Sequence, residues 1–388
     1  FHTAEHSRFS HSLGVYEVAR RIINEVTDIK RILTDEEKLI TLCAALLHDI
    51  GHGPFSHSFE TVFNTSHEDY TQKIILDKAT GINRVLENYK QGYSQKIAAV
   101  LRKDCFKGEC DENDCHHFIV NSIVSSQLDA DRLDYLQRDA YNTGATYGEI
   151  DLERIIRSFL VVNNKIAFKY TSMHTIENYL MSRYHMFWQV YYHPVSVSYE
   201  LILVNIFKRI KHLIGLGYMF KQDITIIDNL ISGLIDIETY LYLDEPFIIE
   251  TIKKSQFERD IILADLSKRY INRHLFKYIA CESKAVLDSK YREMKSIFAK
   301  YNIDCDYYLH KDTIIKEAYK YYIDEGANSE PLLLLVNKEL TEITEKSHVV
   351  KGIKQIGAKT DYKLYYPKEA LQLFSMDDQK TIQDIIGY

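Results

Sequence analysis

Apolar side chains recur every three to four positions along most of this chain, and that period predicts α-helices. The stripe is clear near the start, where one helix is expected to end near Val26. Its apolar positions are Leu13, Val15, Val18, Ala19, Ile22 and Ile23. Ser10 or Ser12 can cap this helix, because a serine hydroxyl accepts a hydrogen bond from a free amide of the first turn. His11 is therefore expected at the helix entrance, with Arg8 one turn before it.

A second, mostly buried helix is predicted from a capping box. Thr34 and Glu37 have the spacing at which a hydroxyl and a carboxylate satisfy opposite amides of the first turn. An apolar run over 39–47 follows directly, so the helix is expected to pack on both sides.

The most informative stretch is the place where that helix stops. His48 and Asp49 close the apolar run, and two glycines and a proline follow within five residues, which permits a tight turn. An imidazole nitrogen and a carboxylate oxygen together suit a divalent metal of borderline hardness. The alternative is a capped, hydrogen-bonded histidine of the core. Because His52 and His57 follow within ten residues, the sequence favours a metal site.

The remaining pattern predicts a mainly α fold. The other expected elements are surface helices over 68–79 and 82–90, a hairpin with an Asn-Asn turn over 161–168, an aromatic-rich helix over 173–191, and helices continuing to about residue 300. Strand-like runs then appear at 306–309, 332–336 and 362–366, mixed with polar helices. We therefore expect a helical core with a small β-hairpin and a C-terminal α+β portion, divided into 1–195, 196–302 and 303–388.

Composition narrows the classes of function. The net charge of −7 argues against bulk nucleic-acid binding, although a short basic run lies at 208–212. We find no apolar run of membrane-spanning length and no secretory signal, so no membrane partner is expected. The six cysteines are irregularly placed, which is typical of reduced thiols in a cytoplasmic protein. Because the sequence begins with Phe1 rather than methionine, we expect natural N-terminal residues to precede it.

A second informative stretch covers 125–148. If it is helical, one face carries Asp131, Tyr135, Arg138 or Asp139, and Asn142. A stripe of acidic residues, tyrosine and asparagine makes a poor core face, so the helix is expected to line a site. The alternative is a solvated surface helix.

Two other patterns favour plain structural roles. Arg183, Phe187 and Tyr191 lie on one line of the predicted helix 173–191, and an aromatic line at helical spacing more often packs in a core. One cysteine cluster comprises Cys105, Cys110, Cys115, His116 and His117. Its spacing is looser than that of zinc sites, so an acidic, solvated loop is favoured over a metal site.

Taken together, four of these residues resemble the metal ligands of HD-domain phosphohydrolases. They are His11 in Arg-Phe-Ser-His-Ser, the His48-Asp49 pair, and Asp131 in Leu-Asp-Ala-Asp-Arg-Leu-Asp-Tyr. Over about residues 1–195 the chain is similar to the deoxynucleoside triphosphate (dNTP) triphosphohydrolase branch, which includes bacterial dNTPases and the mammalian SAM- and HD-domain enzyme. The resemblance implies an HD-domain helical core that holds one divalent metal (Mn, Mg, Fe, Ni or Zn), with additional Mg on the substrate triphosphate.

The resemblance also implies groups for phosphate binding and proton transfer. Arg8 resembles the phosphate-contacting arginine of that branch, and Arg132 stands where some relatives carry lysine. The residues that match histidines near the scissile phosphate are His52, His57 and His67. Glu60 would orient His67, at a position where some relatives have aspartate.

Residues around the sugar and base follow the same resemblance. Tyr135 and Asp139 match residues that pack under the sugar and bond its 3′-hydroxyl, and tyrosine there would exclude a 2′-hydroxyl. Arg183, Tyr191 and Tyr192 match a phosphate contact, a sugar-face aromatic and a base-side residue. Tyr192 departs from the glutamine of one branch, so base preference does not transfer.

Three hypotheses about function follow. The first is metal-dependent hydrolysis of dNTPs to deoxynucleoside and inorganic triphosphate, by a homo-oligomer (dimer or tetramer) that a second nucleotide activates at a separate site. The second is another HD phosphohydrolase, such as a nucleotidase or cyclic-nucleotide phosphodiesterase, which would not need Tyr135 and Asp139. The third is a non-catalytic nucleotide sensor or nucleic-acid binder, supported only by the basic run at 208–212.

Overall fold

A computed structural model describes residues 4–102, 115–317, 331–356 and 358–387. Cys105 and Cys110 of the cysteine cluster, and the side chains of Cys115, His116 and His117, lie outside the described residues.

Within its described residues, the first part of the chain forms a bundle of nine helices. They are α1 (Arg8–Glu25), α2 (Thr27–Ile32), α3 (Asp35–Leu47), α4 (Ser56–Phe63), α5 (His67–Leu76), α6 (Gly81–Tyr89), α7 (Tyr93–Leu101), α8 (Cys115–Val124) and α9 (Ala130–Thr143). Helix α1 packs against both α3 and α9, and α3 also packs against α7 and α8. The predicted capping box is confirmed at Thr34 and Glu37, which bond each other's backbone amides. The cap predicted for α1 is wrong by one turn, since Ser7 accepts from the Ser10 amide and the helix begins at Arg8.

A hairpin and a long helix follow this bundle. The elements are α10 (Leu152–Ser158), β1 (Phe159–Val162), β2 (Lys165–Lys169) and α11 (Met173–Met186), which continues as one π-helical stretch over Phe187–Tyr191. The predicted hairpin is confirmed: Asn163 and Asn164 have φ of 51° and 58°, the left-handed conformation that a tight two-residue hairpin turn requires.

Five helices build a second core. They are α12 (Pro194–Gly215), α13 (Thr225–Ile231), α14 (Ile237–Tyr240), α15 (Glu245–Ser255) and α16 (Ile261–Asn272). Their apolar faces enclose Phe59 of α4 and Tyr70 of α5, so this core closes against the two helices that follow the His48–Asp49 turn. Among the residues described, we find no helix with the length and apolar character needed to cross a membrane.

The C-terminal part mixes strands and helices. Its elements are β3 (Lys277–Cys281), α17 (Lys284–Lys300), α18 (Cys305–Tyr308), β4 (His310–Glu317), β5 (Leu333–Val336), β6 (Glu339–Glu342), α19 (Ile343–Lys346), α20 (His348–Ile356), β7 (Ala358–Tyr366) and α21 (Met376–Ile386). One antiparallel sheet has the order β3-β7-β4, and the other has the order β1-β2-β5-β6. Strand β5 lies parallel to β2, with Phe168 opposite Leu334, so a late segment completes the sheet that the hairpin begins.

The mainly α fold with its hairpin and C-terminal α+β part is confirmed, but two local predictions are wrong. Residues 306–309 were expected as a strand and instead belong largely to α18, because Asp304 caps that helix by accepting from the Asp306 amide. Strand β3 lies in a region expected to be helical. It runs antiparallel to β7, and such a partner far along the chain overrides local propensity.

Candidate metal and phosphohydrolase site

Three helices bring the four predicted metal ligands together. His11 comes from the first turn of α1, His48 and Asp49 follow α3, and Asp131 stands in the first turn of α9. The Asp131 Oδ1 atom is 3.1 Å from His11 Nε2 and 3.6 Å from His48 Nε2. Asp49 places one oxygen 3.4 Å from His48 Nε2 and the other 3.8 Å from His11 Nε2. Two imidazole nitrogens and two carboxylates therefore converge on one point.

Hydrogen bonds at the other ring nitrogen orient both histidines. His11 Nδ1 donates to Asp134 Oδ2 at 2.8 Å, and His48 Nδ1 donates to the Ala45 carbonyl at 2.9 Å. The Nε2 lone pair of each ring is thereby left toward the carboxylates, as metal-binding histidines require. Within the described residues, buried His48 Nε2 has no hydrogen-bond partner. This orphaned nitrogen and the mixed N/O donor set fit a divalent metal.

The carboxylates make the site strongly attractive to positive charge. Burial by itself lowers the pKa of His11, but the neighbouring Asp131 and Asp134 raise it to about 10. Burial likewise lowers the pKa of His48, and Asp131 and Asp49 raise it to about 9. Burial raises the pKa of Asp131, but both histidines hold it well below its usual range. Without a metal, protons on the histidines supply the charge that these carboxylates demand.

Asp134 is a site residue that the sequence analysis missed. It stands one turn after Asp131, and its carboxylate joins His11 to Arg138, whose Nε donates to it at 2.8 Å. Helix α1 approaches closely here, because a Cβ at Gly14 would lie 1.8 Å from an Asp134 oxygen. The i, i+3 spacing of Asp131 and Asp134 was the signal available in the sequence.

Two hydroxyl groups hold the turn after His48 and Asp49. The Thr71 hydroxyl accepts from the Gly51 amide at 3.0 Å, and the Tyr240 hydroxyl donates to the Gly51 carbonyl at 2.8 Å. A Cβ at Gly51 would lie 2.2 Å from the backbone of His67, so only glycine permits this approach of α5. The second core thereby fixes the turn through Tyr240 of α14.

The predicted proton-transfer residues form a cluster beside the metal ligands. The Glu60 carboxylate lies 2.8 Å from His67 Nδ1, 3.1 Å from His57 Nδ1 and 3.6 Å from His52 Nδ1. The His52 and His67 rings stack, with centroids 3.9 Å apart. His52 also links the two groups of residues, since its Nε2 is 3.6 Å from Asp49 Oδ1.

Backbone strain and burial shape this cluster. Phe55 and Ser56 have φ of 59° and 48°, an unfavourable left-handed conformation that starts α4 immediately before His57. His57 is exposed, whereas His52 is nearly enclosed. Burial, followed by His67, Arg8 and other neighbours, lowers the pKa of His52 to about 2. His52 is therefore neutral near pH 7.

A cavity of about 250 Å³ opens beside both groups. Its lining residues are His6, Arg8, His11, Asp49, His52, Ser56, Tyr135 and Asp139. The Arg8 guanidinium donates to the Ser56 hydroxyl, and a second nitrogen lies 3.8 Å from exposed Glu245. A cation, two of the predicted metal ligands and a neutral histidine therefore share one cavity with Tyr135 and Asp139.

Asp139 is held from both sides. His6 Nε2 lies 2.8 Å from one carboxylate oxygen, and the Tyr191 hydroxyl donates to the other at 2.5 Å. Burial and the Asp139 charge raise the pKa of Tyr191, which keeps its hydroxyl protonated as a donor. The π-helical stretch carries Tyr191 to this position. His6 was not predicted, since nothing in the sequence pairs it with Asp139.

Arg132, Arg183 and Tyr192, which were predicted to contact substrate, are not among the residues that line this cavity. The Arg132 Nε atom is 3.4 Å from buried Asp129, which caps α9. Arg183 is buried, with its guanidinium 5.7 Å from the centre of the Phe187 ring, and the Tyr192 ring stacks on that same Phe187 ring. Their predicted roles toward a substrate stay predictions.

Comparison with protein families agrees with this geometry. The HD domain matches residues 8–107, and an HD-associated region matches residues 150–213. These segments contain His11, His48, Asp49 and the histidine–glutamate cluster in the first case, and Arg183 and Tyr191 in the second. The chain belongs to the HD-domain family of phosphohydrolases.

Individual relatives extend this assignment over most of the chain. The uncharacterized protein YwfO of Bacillus subtilis is 43% identical over 374 residues, covering 96% of this chain and 83% of that protein. The deoxynucleoside triphosphate triphosphohydrolase SAMHD1 homolog of Dictyostelium discoideum is 26% identical, over 72% of this chain and 52% of that protein. The crystal structure of the phosphohydrolase BT4208 from Bacteroides thetaiotaomicron superposes with a TM-score of 0.77 at 27% identity, covering 94% of this chain and 89% of that one.

Proposed function

We propose that this phosphohydrolase cleaves dNTPs to a deoxynucleoside and inorganic triphosphate with the help of one divalent metal. The observation that carries the proposal is the cavity itself, where Arg8, the metal ligands His11 and Asp49, and the Tyr135–Asp139 pair line one space of about 250 Å³. A bare phosphohydrolase site would not need a tyrosine and an acid one helical turn apart beside it. The likeness to a deoxynucleoside triphosphate triphosphohydrolase supports this choice of substrate.

The metal would be held by His11, His48, Asp49 and Asp131. When bound, a divalent ion there supplies Lewis-acid polarisation of a phosphate oxygen and lowers the pKa of water. The Arg8 guanidinium would bind the triphosphate, whose negative charge it partly neutralises. Since Ser56 and Glu245 already contact Arg8, its side chain is held at the cavity wall before substrate arrives.

The reaction needs a proton to move between water and the leaving oxygen. Water oxygen bonds to the α-phosphorus, the bond from that phosphorus to the 5′-oxygen breaks, and a proton from the water ends on the 5′-oxygen. His67 suits this transfer because Glu60 fixes its Nδ1, which leaves Nε2 to exchange the proton. Neutral His52 would hydrogen-bond a phosphate oxygen beside it, and exposed His57 can return protons to solvent.

The sugar would rest against Tyr135, with its 3′-hydroxyl donating to Asp139. His6 and Tyr191 hold that carboxylate in place, so its orientation is set before binding. The Tyr135 ring would occupy the space that a ribose 2′-hydroxyl requires. Arg132, Arg183 and Tyr192 would then support the phosphate and base from behind.

The test is to incubate the purified protein with Mn²⁺ or Mg²⁺ and each dNTP, singly and mixed, and to identify the products by ion-exchange chromatography. Triphosphate with deoxynucleoside is expected, and Asp131→Ala should abolish both metal retention and turnover while its circular dichroism stays helical. Release of orthophosphate from mononucleotides alone, or cleavage of cyclic nucleotides alone, would replace the proposal with the second hypothesis. Activity only in the mixture would show activation by a second nucleotide, and light scattering would show whether active protein is a homo-oligomer.

Substrate choice is tested separately. Tyr135→Ala should raise turnover of ribonucleotides relative to dNTPs, and Tyr141→Ala is the matched control, because Tyr141 lies on the same helix with 87% of its surface exposed. An unchanged deoxy-to-ribo ratio in Tyr135→Ala would contradict its role as the sugar filter.

A further inference from the structure

The turn that leads into α4 holds two residues in an unfavourable backbone conformation. Phe55 and Ser56 have φ of 59° and 48°, the left-handed region, which glycine alone adopts without steric strain. The Phe55 side chain accounts for its own place, because its ring packs near Phe207 of the second core, with 6.5 Å between the ring centres. Ser56 has no such apolar side chain. Glycine at position 56 would start α4 and place His57 equally well, so the serine side chain itself needs an explanation.

The Ser56 hydroxyl does not serve the helix that it begins. A serine at a helix start usually accepts a hydrogen bond from an amide of the first turn, but α4 has no side-chain cap. Ser58, two residues later, has an ordinary structural partner, since its hydroxyl donates to Glu200 at 2.9 Å. The Ser56 oxygen instead accepts from the Arg8 guanidinium, and Ser56 lines the cavity. Its partner therefore belongs to the proposed site.

The same hydroxyl keeps a proton to donate. A serine hydroxyl accepts through its lone pairs and also donates one O–H. Within the described residues, the hydrogen bond from Arg8 is the only one that the Ser56 side chain makes, and Ser56 is half-buried at the cavity wall. The carboxylates of Asp49 and Asp139 line the same cavity, so an anion that enters it needs donors to offset them. The O–H of Ser56 is such a donor, and it stands beside the Arg8 cation.

We propose that Ser56 is a substrate-binding residue, whose O–H donates to a triphosphate oxygen while its lone pair holds the Arg8 guanidinium beside that oxygen. The backbone strain then places a side chain where glycine would fit more easily. The hydroxyl and the guanidinium form one two-point contact with the anion, and each orients the other before the anion arrives. The choice of a triphosphate rests on the proposed function, whereas the donation to a phosphate oxygen does not.

The test separates the hydroxyl from the strain with two variants. Ser56→Gly removes both, so its unfolding equilibrium constant should fall by about 2- to 5-fold while it binds inorganic triphosphate about 10-fold more weakly. Ser56→Ala removes the hydroxyl alone, so it should bind equally weakly without the gain in stability. Urea unfolding measures stability, and isothermal titration of the manganese-loaded protein with inorganic triphosphate measures binding. With dNTPs, the KM of both variants should rise by about the same 10-fold factor.

Asn64→Gly is the matched control. Asn64 has φ of 56° at the other end of α4, is exposed and does not line the cavity. This variant should also be more stable than the wild type, but it should bind triphosphate as the wild type does. An Arg8→Ala background separates direct contact from an effect through Arg8. Ser56→Gly should still weaken triphosphate binding there by about 5-fold, because its O–H acts on the anion itself.

Three results would overturn the proposal. They are wild-type affinity for triphosphate in Ser56→Gly, no triphosphate binding by the wild type, and no further loss from Ser56→Gly in the Arg8→Ala background. A Ser56→Gly variant that is both less stable and weaker in binding would show a purely structural serine, and it would overturn the proposal as well. The proposed function fails separately. In that case no dNTP releases triphosphate, although Ser56→Gly still weakens binding of the inorganic anion.

Discussion

In both histidines of the candidate metal site Nε2 faces the metal position, and a different group orients each ring. A backbone carbonyl orients His48, whereas the charged Asp134 side chain orients His11. A carboxylate raises the basicity of the imidazole it holds, so Asp134 should set metal affinity without touching the metal.

Asp134→Asn should weaken Mn²⁺ binding by about 10- to 100-fold, because the amide keeps the shape of the carboxylate but not its charge. Equilibrium dialysis with Mn²⁺ measures the change. Arg138→Gln is the control, since it removes the other partner of Asp134 and leaves the bond to His11 in place. A dissociation constant of Asp134→Asn within twofold of the wild type would refute this role.

Metal uptake should also release protons. The pKa values of His11 and His48 are raised to about 10 and 9, so both rings are protonated at pH 7 when no metal is bound. A metal must displace those protons, and its apparent affinity should therefore rise as the pH rises from 6 to 8. Isothermal titration with Mn²⁺ in buffers of different ionisation enthalpy counts the released protons. Equal affinity at pH 6 and pH 8 would contradict the expectation.

Sequence reasoning reached the residues whose chemistry is unusual for their position. His48 and Asp49 stand out because a buried helix ends at them, and Asp131 because its helical face is too polar for a core. Asp134 was missed although its spacing from Asp131 pointed to it, whereas His6 does not stand out because its contact with Asp139 arises only when the segment before α1 meets α9. Contacts between side chains of two different helices cannot be predicted from the local sequence pattern of either helix.

At the scale of elements, the packing of α1 against α9 positions the site. Gly14 stands at their contact, and an added methyl group would meet Asp134 and Arg138 at 1.8 and 2.4 Å. Most of the predicted stripe of α1 is confirmed, since Val15, Val18 and Ile22 are buried, but Leu13 is wrong because it is exposed. The stripe could not reveal that a polar helix would approach Gly14, next to that face, so closely.

Gly14→Ala should lower the free energy of unfolding by about 3 kcal/mol, because the added methyl group would overlap the tightly packed side chains of Asp134 and Arg138. Its urea midpoint, measured by circular dichroism, gives the change. Gly81→Ala is the control: it adds the same methyl group at the start of α6 with nothing within 4 Å. That variant should stay within about 1 kcal/mol of the wild type. A Gly14→Ala midpoint equal to that of the control would contradict the close approach.

Strand prediction failed at two places, residues 306–309 and β3, and for different reasons. The tyrosines at 307 and 308 favour a strand locally, but the cap at Asp304 and burial of both rings select a helical turn. Strand β3 forms because β7, more than 80 positions later, pairs with Lys277 through Cys281. The hairpin was predictable because its two strands and its Asn-Asn turn are contiguous.

At the scale of the whole molecule, the C-terminal segment is tied into the first core. Leu334 and Ile343 are buried among the helices of the bundle. The buried Ser347 hydroxyl donates to Glu177 of α11 and accepts from the Val350 amide in the first turn of α20, so it caps that helix. One hydroxyl therefore joins the helix that carries Arg183 to the last third of the chain.

Ser347→Ala should destabilise the protein by about 1–3 kcal/mol, since it removes a helix cap and leaves the buried Glu177 oxygen without its donor. Ser375→Ala, which removes an exposed cap at α21, should cost about 1 kcal/mol or less. Urea unfolding compares the two variants, and hydrogen exchange should show faster opening of α20 in the first. An equal loss of unfolding free energy in both variants would show that the hydrogen bond from Ser347 to Glu177 adds nothing to stability.

The parallel pairing of β2 with β5 has a consequence for the order of events at the ribosome. Strand β2 ends at Lys169, but its neighbour begins at Leu333. At about 5–20 residues per second, synthesis of the chain between them takes about 10–30 s. Throughout that time the free edge of the hairpin is open to pairing with other nascent chains. The helices of the site can therefore assemble early, while protection of the hairpin waits for the last third of translation.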